Sequence, residues 1–247
     1  MATPAPTNQS PQAQPKRQRP QRSTSGRGGR SRRDDTPEVQ LSKSLSWALR
    51  HGAEELKLSM RPSGYVELAQ LLRCPKFRKY TEAQVETAVH MCAKKRFSLT
   101  TDVSGVVKFI RANQGHSLGL VQDDELLTPL EDPEAVERCI HGTYLKFWES
   151  ILENGLSRMT RNHMHFTTRE AVDGEVVSGM RASCDLLLYV DLPLALANGI
   201  KFFRSSNNVI LSAGVDGVLP KHYFLKAVKT DGTVVYERDA ASADEEP

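Results

Sequence analysis

Long apolar runs are missing from this sequence, and no stretch approaches the roughly 18 residues that a membrane-spanning helix requires. Cysteine is scarce, and Cys74, Cys92, Cys139 and Cys184 lie too far apart to form a C-x-x-C pair. Neither a disulfide framework nor a zinc knuckle is therefore expected, and free core thiols are the plain reading. Met1 to Gln21 lacks the apolar segment of a secretory signal, which points to an intracellular protein of the cytoplasm, the nucleus or both. The glycine patterns of Walker and Rossmann nucleotide loops are absent. Acidic residues are missing from the polar clusters Arg50-His51, Lys94-Lys95-Arg96, Gln114-Gly115-His116-Ser117, His141-Gly142-Thr143 and Arg161-Asn162-His163-Met164-His165. Only cations, imidazoles and neutral polar groups stand there. A site assembled from them favours a substrate with several negative charges, such as phosphates, over a metal ion.

The formal net charge of +3 over 247 residues is unevenly spread. Residues 1–36 hold Lys16, Arg17, Arg19, Arg22, Arg27, Arg30, Arg32 and Arg33 among Pro, Gln, Ser and Gly. That composition cannot bury enough apolar surface to offset its chain entropy, so a disordered basic tail is expected, able to hold RNA weakly through phosphates. A solubilising or nuclear-targeting tail is the competing reading. An acidic tail, 239–247, closes the chain.

Between the tails the hydrophobic periodicity predicts an α+β protein of two lobes. In the first, 37–126, Val39, Leu41, Leu45, Ala48 and Leu49 mark a helix ending near Arg50-His51, with Gly52 as its stop. Val66 to Leu72 reads as a second helix. A capping box, Thr81 to Gln84, opens a third that runs to Lys95. Strands Phe97 to Thr100 and Val106 to Arg111 follow as a hairpin. Three helices and a hairpin suggest a winged-helix RNA lobe, in which Lys94, Lys95 and Arg96 project from the last turn of the third helix. The second lobe, 127–238, mixes strands with a helix from Tyr144 to Asn154 that buries Leu145, Trp148, Ile151 and Leu152 and stops at Gly155. Leu186 to Asp191, Val209 to Leu211, Tyr223 to Val228 and Val234 to Glu237 supply its strands.

Each cluster admits a bland and a chemical reading. Gln114 to Ser117 is a polar turn or a loop bent around a ligand. His141-Gly142-Thr143 is a buried strand end or a place where backbone N–H groups approach a sugar or diphosphate. On an extended segment His163 and His165 face one side and Met164 the other, which could suit a metal, but no third ligand lies at the required spacing. His141-Gly142-Thr143 and His165-Phe166-Thr167 both read H-x-T, the signature of two-histidine phosphoesterases. That alternative leaves Arg50-His51 without a role. A non-catalytic winged-helix RNA binder is a third reading, and it leaves the second lobe without a purpose.

Taken in order, Leu41-Ser42-Lys43, Leu49-Arg50-His51, Lys95-Arg96-Phe97, Gln114 to Ser117, His141 to Thr143, Met159 to His165, Ser178-Gly179-Met180-Arg181 and Phe203 to Val209 resemble the NAD-dependent RNA 2′-phosphotransferase family. Met164 and Phe166-Thr167 depart from the family's valine and leucine-serine; Thr167 keeps a hydroxyl, and the activity is not put in doubt. The resemblance implies a winged-helix lobe followed by an ADP-ribosyltransferase-like lobe that binds NAD. It implies a catalytic Arg-His-Arg-Arg set, which falls on Arg50, His51, Arg96 and Arg161. It places His141, Gly142, Thr143, His163, His165 and Arg181 on the NAD side, and Lys94, Lys95, Arg111, Gln114 and His116 with the RNA.

The implied reaction moves an internal RNA 2′-phosphate, that of spliced tRNA, to NAD in two steps. Nicotinamide leaves first, giving an RNA-phospho-ADP-ribose intermediate; 2′-OH RNA and ADP-ribose 1″,2″-cyclic phosphate follow. ADP-ribosylation of phosphorylated RNA ends is the related alternative. No metal, no membrane and a monomer are expected. Step one needs mainly positioning of two anions, and step two needs cations on a transferring phosphoryl group.

Overall fold

Helix α1, Pro37–Arg50, starts where its sequence says it should. Thr36 caps it by accepting the Val39 N–H, Pro37 occupies the first turn, and Glu38 meets the positive end of the dipole. Leu41, Leu45, Ala48 and Leu49 form its buried stripe. The computed structural model describes residues 35–170 and 177–239; both predicted tails fall almost wholly outside them. The described residues from Thr36 onward form one compact unit.

The elements that follow are β1 (Val66–Glu67), α2 (Leu68–Arg73), α3 (Glu82–His90), β2 (Phe97–Thr101), β3 (Lys108–Ala112), α4 (Asp123–Leu126) and β4 (Thr128–Leu130). Next come β5 (Cys139–Thr143), α5 (Trp148–Asn154), β6 (Leu156–Ser157), β7 (Met164–Phe166), β8 (Leu186–Val190) and α6 (Leu192–Ala197). The chain ends with β9 (Phe202–Arg204), β10 (Ile210–Ser212), β11 (Val218–Leu219), β12 (Phe224–Lys229) and β13 (Val234–Glu237). Helices and strands are mixed, as an α+β class requires.

Strand order is β1-β3-β2 in a first sheet, β4-β9-β10-β7 in a second and β13-β12-β8-β5 in a third, and β11 pairs with β6. Among the described residues every strand pairing is antiparallel. The backbones of Ile140 and Thr167 exchange hydrogen bonds of 3.0 and 2.8 Å, which joins β5 to the residue after β7. One apolar cluster gathers Leu45, Leu49, Leu68, Phe77, Val85 and Ile110, and a second gathers Phe166, Leu186, Leu188, Phe202 and Phe224. Val209 and Leu211, beside and within β10, pack into the first cluster, so the strand-rich part closes the helical core from one side.

Several sequence expectations need correction. Val66 and Glu67 pair with Ile110 and Phe109 as a short strand, so the second helix begins only at Leu68. The third helix stops at His90 rather than Lys95, because Lys95 takes a left-handed φ of 43° and the turn before Arg96 is held by tertiary hydrogen bonds. The basic run Lys94-Lys95-Arg96 therefore leaves a turn, not a helix. Leu145 is exposed in a 3-10 turn ahead of α5, whose buried residues are Trp148 and Ile151. Gly52 is no left-handed cap: a Cβ there would stand 2.6 Å from the Trp47 ring, so the missing side chain is what lets that indole pack. Gly155, at φ 79°, does cap α5 as expected.

Candidate active site

Separate pieces of chain bring the cationic side chains together. Arg50 is the last residue of α1 and His51 its C-cap. Arg96 immediately precedes β2, and Arg161 lies ahead of β7. The loop after β3 stitches these pieces. Ser117 N–H donates to the Arg50 carbonyl at 3.0 Å, and Asn162 N–H to the His116 carbonyl at 2.8 Å. His51 Nδ1 lies 2.8 Å from the Ser117 hydroxyl. Within that loop Gly115 sits at φ 89°, where a Cβ would stand 3.3 Å from Arg50 Nε and 3.4 Å from His165 Nε2. Conformation and space both call for glycine.

Arg50 is the electrostatic centre. Burial, followed by the charges of Arg161 and Arg96, pushes its pKa down to about 10. Its Nε and Nη2 are buried without a hydrogen-bond partner. Such unpaired donors carry a penalty of about 1–3 kcal/mol each, more when charged. Arg161 is lowered by burial and then by Arg181, and His51 by burial, then Arg50 and Arg161. Among the described residues no carboxylate pairs with Arg50, Arg96 or Arg161. Arg50, His51 and Arg96, together with Ser42, Ser46 and Trp47, line a cavity of about 470 Å³. Like charges crowded at a cavity wall without counter-charge make a seat for a polyanion.

The second group of predicted residues lies next to the first. His141 Nδ1 is 2.8 Å from the His165 carbonyl, which can only accept. Nδ1 therefore carries the proton, and burial followed by nearby Arg181 and Arg161 holds the ring neutral, leaving Nε2 as an acceptor. Beside it, a Cβ on Gly142 would stand 2.6 Å from Met180 Cγ and 3.0 Å from Cys184 Sγ. Thr143 is buried, and Arg181 is exposed near Tyr144. His165 is buried with Nε2 at 2.8 Å from Gln114 Oε1. His163 instead donates Nε2–H to Asp123 Oδ2 at 3.0 Å and packs edge-on against Phe203.

The RNA set divides. Gln114 and His116 are buried, and burial followed by Arg50 pushes the His116 pKa down to about 3, so that ring is neutral. Arg111 donates to the Ser63 carbonyl at 3.1 Å and lies over the Tyr65 ring. Lys94 Nζ donates to the Met180 carbonyl at 2.7 Å, and Lys95 is exposed. Among the described residues no cluster of three or more His, Cys, Asp or Glu side chains could hold a metal ion.

A sequence model of the RNA 2′-phosphotransferase, Tpt1 / KptA family matches residues 36–214, the span that contains every residue of this site. The chain belongs to that family. Among its relatives, the bovine protein called tRNA 2′-phosphotransferase 1 is 45% identical over 205 residues, covering 82% of this chain and 80% of the relative. The human protein of the same name is 44% identical over 209 residues, 82% of each chain. The tRNA 2′-phosphotransferase of Saccharomyces cerevisiae is 37% identical over 188 residues, 73% of this chain and 81% of the relative. For an RNA 2′-phosphotransferase family member, three supports of the site escaped the sequence reading. Cys92 Sγ accepts from both the backbone N–H and Nη1 of Arg96, at 3.5 Å each. Asn113 binds the Lys95 carbonyl, and Asp123 binds His163. Asn113 adjoins the recognised loop and could have been found there; nothing local signals Cys92 or Asp123.

Proposed function

We propose that this chain transfers an internal RNA 2′-phosphate, that of ligated tRNA, to NAD, releasing nicotinamide, 2′-OH RNA and ADP-ribose 1″,2″-cyclic phosphate. The observation that carries the reading is Arg50: a buried guanidinium with two unpaired donors, set among Arg96 and Arg161 and, among the described residues, without a carboxylate partner. Family membership supplies the reaction class, and the names of the relatives supply tRNA.

In this reading residues 37–126 are a winged-helix RNA lobe and 127–238 an ADP-ribosyltransferase-like lobe. Three helices with the β2-β3 hairpin support the first assignment, and the antiparallel sheets of the second half are compatible with the other. NAD suits the residues present. His141 Nε2 offers an acceptor to a ribose hydroxyl, and Arg161 and Arg181 supply charge for a diphosphate. When bound, NAD supplies an anomeric carbon with a neutral leaving group.

The chain's own part is to hold two anions together. Arginine does this with permanent charge and a fork of donors that matches phosphate oxygens. Arg50, Arg96 and Arg161 then stabilise the charge that spreads over a transferring phosphoryl group, the task divalent ions perform elsewhere. His51, kept toward its neutral form by burial and by Arg50, contacts the transferred phosphate from the exposed side of the site. Lys95 is free to meet the RNA backbone.

The test is nicotinamide release on mixing the protein with NAD and 2′-phosphorylated RNA in excess chelator. Release with that RNA, and none with 2′-OH RNA, is the expected result. Turnover without NAD would favour the two-histidine phosphoesterase instead, and dependence on added magnesium or zinc would remove the proposed role of the arginines.

A further inference from the structure

The turn that carries Arg96 is anchored from an unexpected direction. The Lys94 carbonyl accepts two side-chain hydrogen bonds, from Ser178 Oγ at 3.0 Å and from Asn207 Nδ2 at 2.9 Å. The Lys94 ammonium reaches back to the Met180 carbonyl at 2.7 Å. Lys95 is held in the left-handed region, unfavourable for a side-chain-bearing residue, and its carbonyl accepts from Asn113 Nδ2 at 2.8 Å. Asn113 N–H then binds the Arg96 carbonyl, also at 2.8 Å.

Ser178 and Met180 belong to one short segment, and its other contacts lie on the nucleotide side. The Met180 side chain crowds Gly142, and Arg181 acts on His141 and Arg161. Gly179, at φ 84°, lets the segment pass close to Val209 and the Phe166 carbonyl, where a Cβ would be 3.0 and 3.1 Å away. One piece of chain therefore touches the His141-Gly142-Thr143 strand at one end and the Arg96 turn at the other. Lys94 makes the second attachment twice, through its carbonyl and through its ammonium.

We infer that Lys94 is a positioning residue that ties Arg96 to the Ser178–Arg181 segment, and not a contact to RNA phosphate. Its ammonium is engaged by a carbonyl, so its charge is directed into the protein. The inference rests on the reading above, in which Arg96 serves phosphoryl transfer. A guanidinium acting on a transition state must be held closely, because a displacement of about 1 Å can cost about 100-fold in rate. Loss of the strap should then slow the second step and leave RNA capture intact. A direct phosphate contact should do the reverse.

Three variants and two readouts separate these outcomes. In single-turnover reactions of the full chain with radiolabelled 2′-phosphorylated RNA and NAD, Lys94→Met should slow the second step by about 10- to 100-fold. Labelled RNA-phospho-ADP-ribose should accumulate. The affinity for RNA and the slope of log affinity against log salt should match the parent chain. Lys94→Arg, which keeps a donor, should recover part of the rate, and Asn207→Ala should reproduce the defect with Lys94 intact. The inference is overturned if Lys94→Met weakens RNA binding and flattens the salt slope by about 0.7, the contribution of one phosphate contact on a single strand, with the ratio of the two steps unchanged. It is overturned equally if Asn207→Ala leaves both steps as they were, which covers the case of a Lys94 variant that does not fold. A parent chain that releases no nicotinamide would remove the functional reading, while the salt slope would still report whether Lys94 meets RNA.

Discussion

Gly115 lies so close to Arg50 that a single methyl group would stand 3.3 Å from the Arg50 Nε. The same methyl would stand 3.4 Å from His165 Nε2, on a backbone at φ 89°. Gly115→Ala should therefore destabilise the fold by about 1–2 kcal/mol through backbone strain. It should reduce activity by far more than that loss accounts for, by about 100-fold, because both neighbours must move. Urea denaturation alongside nicotinamide release measures the two effects separately, and a fall in activity no larger than the unfolded fraction would contradict the assignment.

Arg50 is costly to the folded chain as well as useful. Its buried Nε and Nη2 lack partners and its neighbours are cations. Arg50→Met keeps the volume and removes the charge, so it should raise stability by about 1–3 kcal/mol. Activity should fall by at least about 1,000-fold. A parallel loss of stability in denaturant would show that the guanidinium serves the fold instead.

Division of labour among the arginines is testable by what accumulates. Arg96→Ala and Arg161→Ala should slow the transfer of the phosphoryl group more than the loss of nicotinamide, because charge on phosphorus develops in the second step. Labelled RNA joined to ADP-ribose should build up. Equal slowing of both steps would show that these groups only bind the substrate.

Stability should decline in mild acid. His116, His141 and His165 have folded pKa values below the ordinary histidine value, chiefly through burial, with His116 at about 3. The unfolded chain takes up these protons near pH 6.5, whereas the folded chain resists them, so stability is full above about pH 6.5 and lost as the pH falls toward 3. The slope approaches about 1.4 kcal/mol per pH unit for each histidine held neutral. Denaturant midpoints at pH 7.5, 6.5 and 5.5 measure it, and His116→Asn should lower the slope by about one proton's share. A midpoint unchanged down to pH 5.5 would contradict the buried neutral rings.

The local elements were legible where their signals are local. Thr36 and Pro37 start α1, and Thr81 with Gln84 starts α3 through a complete capping box. Asp102 to Gly105 turns the β2-β3 hairpin, and Val234–Glu237 is a strand as expected from its β-branched and aromatic residues. Termini governed from a distance were not legible. The helical pattern of α3 continues past His90, but the carbonyl and ammonium of Lys94 are held by Ser178, Asn207 and Met180, more than eighty positions away. Thr128–Leu130 carries no local strand signal, because its strand character comes from pairing with β9.

The same boundary runs through the site. The chain itself determined the kind of chemistry: clusters of arginine and imidazole without acids select a polyanion whatever the fold, because side-chain charge is a property of composition. Only the tertiary structure decided which of these groups are buried and which partner each one meets. His163 meets Asp123, His116 is buried near Arg50, and the Lys94 ammonium meets the Met180 carbonyl. Burial and hydrogen-bond partners depend on what the rest of the chain brings to each side chain, and no spacing along the sequence encodes that.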